Sequence, residues 1–574
     1  MTGGAETDIL VIGSGAGALT AALTASLEGA QALVIEKSSH FGGTSASSGG
    51  AVWIPNSDTA RAQGHADDPR EARAYLDGLI GTDVPSDRID AYVEHARAML
   101  AYMEARTEVA YTPCPYPDYR MDLPGARVGY RTHDPVPLMA NRLGRYFADL
   151  EPPHPLVLTL GRFGWTLAEA KLMATMSPGA APMLAKLMMR YALDWPWRLR
   201  TKRSRRLTGG NALLGRLRIS LDQQDVPLWL NAPMTALLSE GGRIVGAQLM
   251  RDGRPVTVRA RSGVILASGG FDHDEALRTQ HLPQPGGGWS AGVRSNMGDG
   301  LRAGISAGAA VAALGSGWRA PVLLIPGEER ARPLFMERAL PYSIVVDQSG
   351  RRYMNEAASY HDAGDEMYRL NRPGAQTIPS WLIFDVRYRS KYMLGLMLPS
   401  PAAMDCFIPR AMRAILRKAP SIEALAGQID VPAHNLLETI ARFNVMARAG
   451  RDEDFGRGES AYDRHYADLS VTPNPTMGPL EQGPFYAVPI YPGDLGTNGG
   501  LVTDARARVL RADGSIIEGL YATGNVAASA MGRAYPGAGA TLGPAMTFGW
   551  LAALDACGRA PADARCRQHV VTPA

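Results

Sequence analysis

The chain has 574 residues, 46% of them hydrophobic, which is ample for a buried core and long enough for two or more domains. Its 59 lysines and arginines stand against 56 aspartates and glutamates, and a net charge of +3 gives no reason to expect nucleic acid as a partner. The four cysteines, Cys114, Cys406, Cys557 and Cys566, form no CxxC, no CxxCH and no framework spacing, which excludes a c-type haem module and predicts free thiols in a reducing compartment.

From the N-terminus, residues 8–12 read as a short buried strand and residues 19–27 as an alanine-rich helix, joined by Gly13-Ser14-Gly15-Ala16-Gly17-Ala18. That turn fits GxGxxG/A: Gly13 for the bend, Gly15 for the approach of a pyrophosphate, Ala18 for close helix packing, with the helix amides facing the phosphates. A glycine-rich turn alone is often only a packing solution. Here a second apolar strand, 32–35, ends at Glu36 and Lys37, and an acid there suits the ribose hydroxyls of an adenosine. The next run, HFGGTSASSGG, puts small residues at Gly43, Thr44, Ser45, Ser48, Gly49 and Gly50, where backbone can wrap a second phosphate or the edge of an isoalloxazine. FAD is therefore expected rather than NAD. With the fingerprint already at Gly13, the sequence leaves no room for a signal peptide, and synthesis in the cytoplasm is expected.

Residues 113–155 are rich in proline and read as loops. Within 128–208, Met and Leu at helical spacing lead into Trp195, Trp197 and a basic cluster from Arg198 to Arg206. That composition fits a core helix with a solvated basic loop as well as a helix resting on an anionic membrane surface. No window reaches the about 18 apolar residues that a membrane span needs. Two later pieces, GVILASGGF (263–271, with Gly269) and GLYATGNVAAS (519–529, with Gly524 and Asn525), repeat an apolar strand followed by small residues. Such pieces recur where a dinucleotide domain is assembled from distant parts of a chain. No metal site is expected.

Together GSGAGALTAA, EKSSHFGGTSASSGGAVWIPN, NEAASY, DLGTNGGLVTD, IEGLYATGN and YPGAGATLGPAMTFG resemble the 3-ketosteroid Δ1-dehydrogenases, flavoenzymes of the fumarate reductase/succinate dehydrogenase flavoprotein superfamily. The N-terminal fingerprint is shared by many enzymes, whereas GRAYPGAGATLG is much more restricted. The resemblance implies an α/β fold: a Rossmann-like, discontinuous FAD-binding domain, residues 1–295 and 496–574, with an inserted α+β catalytic cap, residues 296–495. It implies that Tyr535 and the backbone amide of Gly539 form an oxyanion hole for a 3-keto oxygen. Ala540, Thr541 and Leu542 would lead into a helix whose positive end faces the flavin. Tyr360, which keeps the family spacing from Asn355 and Glu356, is implied to take the proton from carbon 2 while a hydride passes from carbon 1 to flavin N5. A free tyrosine has a pKa of about 10, and Tyr119 is implied to help by donating a hydrogen bond to the phenolate. Tyr116 and Tyr111 stand in the same stretch as alternatives.

Two positions depart from the family pattern: Arg120 follows Tyr119 where another tyrosine is common, and Ser359 replaces the proline before Tyr360. The extra segment resembles that of longer members associated with cholest-4-en-3-one. The expected partners are a 3-ketosteroid, an unidentified electron acceptor and the inner face of a membrane, met through about 170–206. Rival readings are a 3-ketosteroid Δ4-(5α)-dehydrogenase, a fumarate-reductase-like enzyme, which needs His and Arg groups to clamp a dicarboxylate, and a flavin-binding protein without turnover.

Overall fold

A computed structural model describes residues 4–159, 161–399 and 405–564, and two large sheets organise it. In the first, β1 (Gly4–Ile12) is buried over its last four residues, as a strand covered on both faces must be. Helix α1 (Ala16–Leu27) carries the chain over to β2 (Ala32–Ile35), which pairs with β1 in parallel. With β3 (Leu228–Trp229), β4 (Met234–Glu240), β5 (Arg243–Arg251) and β6 (Arg254–Leu266), the order across the sheet is β3-β2-β1-β6-β5-β4. Two strands from near the other end of the chain, β7 (Arg508–Leu510) and β8 (Ile516–Ala522), complete it, β8 pairing with β6 in parallel with Leu520 opposite Val264. Both expected glycine-containing pieces thus flank the β1 turn.

The second sheet is antiparallel and has six strands. Across it run Arg332–Pro333, Gly317–Leu323, Phe485–Thr497, Ser380–Phe384 and Ser343–Val346, with Arg417–Ala419 also on Phe485–Thr497. The segment between β2 and β3 carries α2 (Leu167–Thr175), α3 (Ala180–Leu193) and α4 (Trp195–Arg198). Helix α5 (Tyr360–Arg369) lies on the strand Gly317–Leu323 so closely that a Cβ at Gly364 would stand 2.8 Å from the Cβ of Arg319. Helix α6 (Leu542–Ala556) is apolar on all sides and buried from Leu542 to Leu554, the pattern of a core helix. It crosses α1 at glycine: a Cβ on Gly17 would lie 2.6 Å from the Ala545 carbonyl oxygen. The tight contact expected of Ala18 is therefore made by its neighbour, although Ala18 is itself fully buried.

Two expectations need correction. The proline-rich stretch is not only loop, since Thr132–Pro135 pairs with Val52–Trp53 and Tyr111–Pro113; so short a strand, ending in Asp and Pro, shows no alternation to read. Of the two tryptophans in the basic segment only Trp195 faces outward. Trp197 is buried, its ring 5.3 Å from that of Phe147 and its Nε1 donating to the Arg203 carbonyl at 3.0 Å. Part of the basic cluster is likewise spent internally, Arg205 on Asp194 and Arg206 on Glu169. Among the described residues no helix is long and apolar enough to cross a membrane. Cys114, Cys406 and Cys557 form no disulfide, and Cys566 lies outside the described residues.

Candidate active site

A cavity of about 1110 Å³ is lined by residues from both sheets and from the segment between β2 and β3. Ligand pockets commonly measure ~300–1000 Å³, so this one has room for a dinucleotide and a second ligand. Gly13, Ser14, Gly15, Ala16, Gly17 and Ala18 line one end, with Glu36, Lys37, Gly43, Thr44, Ser45, Ser48, Gly49, Gly50, Gly269, Gly524 and Asn525. Gly13 has φ +109°, and a Cβ there would sit 2.3 Å from the Ala267 carbonyl oxygen, so only glycine makes this bend. Gly43 and Gly49, by contrast, have nothing within 4 Å of a Cβ position, leaving bare backbone towards the cavity.

The Glu36 carboxylate accepts from Ser14 Oγ at 2.6 Å and from the Ser38 amide at 2.9 Å. Burial raises its pKa despite these donors. The Ser45 hydroxyl accepts from the Ala16 amide at 3.1 Å, and Thr44 Oγ1 from the Asn296 side chain at 3.0 Å. Lys37 pairs with Asp299. A glycine turn at a helix start, an acid closing the next strand and a second bare-backbone loop together fit the phosphates, ribose and ring of FAD. Ala540 is the exception among the expected cofactor residues: it is fully buried and does not line the cavity, whereas Gly539, Thr541 and Leu542 do.

At the far side of this cradle three tyrosines converge. Tyr119 Oη donates to Tyr360 Oη at 2.7 Å. The Tyr535 ring lies 5.3 Å from that of Tyr119, nearly stacked, and 5.5 Å from that of Tyr360, edge to face. All three line the cavity. Burial pushes the pKa of Tyr119 and Tyr360 well above the ordinary phenol value, and for Tyr360 the Tyr119 hydroxyl acts in the opposite direction. Burial also raises Tyr535, against the hydroxyls of Tyr360 and Thr541.

The local sequence explains how each ring is held. The Tyr119 amide donates to the Pro536 carbonyl at 2.9 Å, and Tyr75 Oη donates to the same oxygen at 2.7 Å, so the Tyr119 loop and the Tyr-Pro-Gly turn are stitched together. Gly537 packs against Trp53, where a Cβ would lie 2.7 Å from Cδ1; Gly539 has φ +97° and would place a Cβ 2.4 Å from the Val52 carbonyl carbon. The glycines thus let the turn lie against Val52 and Trp53. Before Tyr119, Asp118 accepts from Trp53 Nε1, Arg131 and the Arg127 amide, each within 3.0 Å. Burial lifts its pKa to about 6 against the pull of Arg131.

Tyr360 opens α5. Ser359 is its N-cap, accepting from the Asp362 amide at 3.1 Å, with φ −54°, inside the range a proline would impose. The departure from the family pattern therefore keeps the backbone and adds a cap. Asn355 and Glu356 do not reach the cavity but anchor the loop, Asn355 to Asp463 at 2.9 Å and Glu356 to Arg352 at 2.7 Å. Of the alternatives, Tyr116 lines the cavity and receives the Tyr466 hydroxyl at 3.2 Å, whereas Tyr111 Oη is spent on the Gly50 carbonyl at 3.1 Å.

The rest of the cavity is mostly apolar, with His154, Arg332, Glu337 and Arg389 among its lining, and comes from segments with no motif. Trp165, Met173 and Ala174 of the segment between β2 and β3 line it together with Met393, Leu396 and Ile408, which lie between the strands Ser380–Phe384 and Arg417–Ala419. Trp318 stands edge-on to Tyr535 at 5.0 Å, and Phe335 lies 4.8 Å from Tyr360. Sequence reasoning missed these two aromatics because nothing local marks them; the pairing of distant strands brings them in. It also missed Asp134, a carboxyl in the mostly apolar wall that accepts the Leu167 amide at 2.8 Å. Burial raises its pKa to about 7.

A family model for FAD-binding domains matches residues 8–542. A 3-oxosteroid 1-dehydrogenase of Mycobacterium tuberculosis (strain ATCC 25618 / H37Rv) is 40% identical over 579 residues, covering 97% of this chain and 99% of the relative. The crystal structure of 3-ketosteroid delta1-dehydrogenase from Sterolibacterium denitrificans in complex with 1,4-androstadiene-3,17-dione matches at TM-score 0.93 and 41% identity, covering 96% of this chain and 99% of that one. A 3-ketosteroid-delta4-(5alpha)-dehydrogenase from Rhodococcus jostii RHA1, at TM-score 0.66 and 19% identity over 96% of this chain and 97% of that one, shares the fold alone. With a cradle built for FAD and tyrosines gathered beside it, the chain belongs to the FAD-binding flavoproteins and, within them, to the 3-oxosteroid 1-dehydrogenase family.

Proposed function

We propose that the protein desaturates carbons 1 and 2 of 3-keto-4-ene steroids in an FAD-dependent reaction, giving 1,4-dien-3-ones. The observation that carries this is the convergence of Tyr119, Tyr360 and Tyr535 where the dinucleotide cradle opens into a mostly apolar cavity. Tyr535 and the Gly539 amide receive the 3-keto oxygen. Negative charge grows there as the carbon 2 proton leaves, so donors already fixed in place stabilise the transition state more than the ketone. Tyr360 takes that proton. Its phenolate is costly in a buried site, and the hydrogen bond from Tyr119 lowers the cost. FAD bound in the cradle supplies a two-electron acceptor for the hydride from carbon 1. Residues 1–295 and 496–574 act as a discontinuous FAD-binding domain, and 296–495 as the cap that closes over the steroid and excludes water.

The protein also acts, in this reading, from the cytoplasmic face of an anionic membrane. Met188, Met189, Leu193, Trp195 and Leu199 are exposed on and just after α3 and α4. Lys186, Arg190, Arg198, Arg200 and Lys202 are exposed among them. Apolar and basic side chains so mixed suit an interface, and α2 of the same segment lines the steroid cavity.

Turnover of a 3-keto-4-ene steroid with an artificial acceptor, followed by the ultraviolet spectrum of the product, tests the main reading. A 1,4-dien-3-one supports it. Reaction only with a ring-saturated 3-ketosteroid, giving a 4-ene, supports the Δ4 rival instead.

A further inference from the structure

Arg88, in the helix Ser86–Arg106, is 4% exposed, and no carboxylate among the described residues pairs with it. Its Nη1 donates to the Ala528 carbonyl at 2.8 Å, its guanidinium carbon sits 5.0 Å from the Phe548 ring centre, and its Nε has no partner. Asp87 and Asp504 act on it only through space. Burial pushes its pKa down to about 10, which leaves it charged at neutral pH. A buried cation without a counterion is expensive, and a fold keeps one where something else compensates it.

Arg88 faces a second cavity of about 20 Å³, room for one water and too little for an organic anion. Trp318, Thr523, Gly524, Asn525 and Thr541 line both this cavity and the large one. A single layer of residues therefore separates the guanidinium from the cradle, at the place where Trp318 packs on Tyr535 and donates to Asn525 at 3.1 Å. Hydride transfer requires the acceptor ring to stand beside the steroid carbon next to the one Tyr360 deprotonates, and Trp318 of this shared wall packs on Tyr535 within that tyrosine cluster, so a flavin ring bound for the reaction would lie near the wall. In the reaction the carbon 1–hydrogen bond breaks and both its electrons leave with the hydride, while the carbon 2 proton goes to Tyr360. The flavin thereby gains one negative charge.

We propose that Arg88 is the fixed countercharge for that negative flavin, acting through the Trp318–Asn525 wall to raise the flavin potential and make hydride acceptance favourable. The inference rests on the FAD-dependent reading. Its test is the midpoint potential of the FAD-loaded Arg88→Met and Arg88→Lys variants, read by anaerobic reductive titration against a reference dye. Arg88→Met shifts the equilibrium towards oxidised flavin about tenfold, which is ~30 mV for a two-electron couple, and Arg88→Lys recovers most of it. A yellow Arg88→Met protein with the wild-type potential overturns the proposal. Should Arg88→Met fail to fold, Arg88→Gln, which keeps a donor for the Ala528 carbonyl and removes the charge, decides instead: a lowered potential supports the proposal and the wild-type potential overturns it. A wild-type chain that takes up no FAD would instead defeat the underlying reading.

Discussion

Tyr119 and Tyr360, 241 positions apart in the chain, share a hydrogen bond of 2.7 Å, and Tyr119 is the donor. The direction matters. A donor stabilises the phenolate of its partner, so in a site where burial raises both phenols it is Tyr360 that is helped to lose its proton.

Tyr119→Phe keeps the ring and removes the donor. We expect kcat at neutral pH to fall about 10²-fold, at the lower end of what a positioned acid or base contributes. Because the Tyr360 pKa then rises, the limb of activity that climbs with pH moves to higher pH. A pH–rate profile checks this; a limb that stays in place would reduce Tyr119 to packing.

Gly539→Ala strains a residue held at φ +97° and drives a methyl into the Val52 backbone. Strain of this kind costs about 1–3 kcal/mol, and relief by shifting the turn moves Tyr535 and the amide together. Thermal unfolding of the variant should show the loss, and its kcat should fall further than its FAD content.

Asp134 titrates near neutrality because burial disfavours its charge. Its folded pKa lies above the unfolded value of about 3.9, so the native state holds the extra proton and stability falls as pH rises between those two values. Asn at this position can still accept the Leu167 amide but carries no charge. Asp134→Asn should therefore match the wild type in melting temperature at pH 4 and exceed it at pH 8, as scanning calorimetry at the two pH values will show.

Reversing Arg190, Arg198 and Arg200 to glutamate tests the membrane face without touching the cavity. Each basic residue near an anionic surface contributes about 1 kcal/mol, so co-sedimentation with phosphatidylserine vesicles should fall by well over tenfold while turnover of a soluble steroid is retained. Equal sedimentation of variant and wild type would remove this surface from the account.

The parts legible in the sequence were those where geometry demands one residue type within a few positions. Gly13 at φ +109° and Gly539 at φ +97° announce turns that only glycine makes, and the strand-to-helix setting of the first announces a nucleotide. The Tyr-Pro-Gly turn was readable only through its resemblance to the family motif. Trp318, Phe335 and Arg88 were not, because their surroundings arise from which distant segments lie beside one another, and a single aromatic or arginine carries no periodic signal. Trp197 illustrates the opposite failure: composition grouped it with Trp195, while its indole N–H had an internal carbonyl to satisfy.

The central claim is that Tyr360 deprotonates carbon 2 while the flavin accepts the hydrogen from carbon 1. Anaerobic mixing of FAD-loaded protein with one equivalent of 4-androstene-3,17-dione measures it most directly, with flavin absorbance and product identity followed together. The account predicts bleaching with formation of the 1,4-diene in the wild type, and in Tyr360→Phe retained FAD with bleaching slowed by several orders of magnitude. Undiminished bleaching in Tyr360→Phe, or a product whose new double bond lies elsewhere than between carbons 1 and 2, would contradict it.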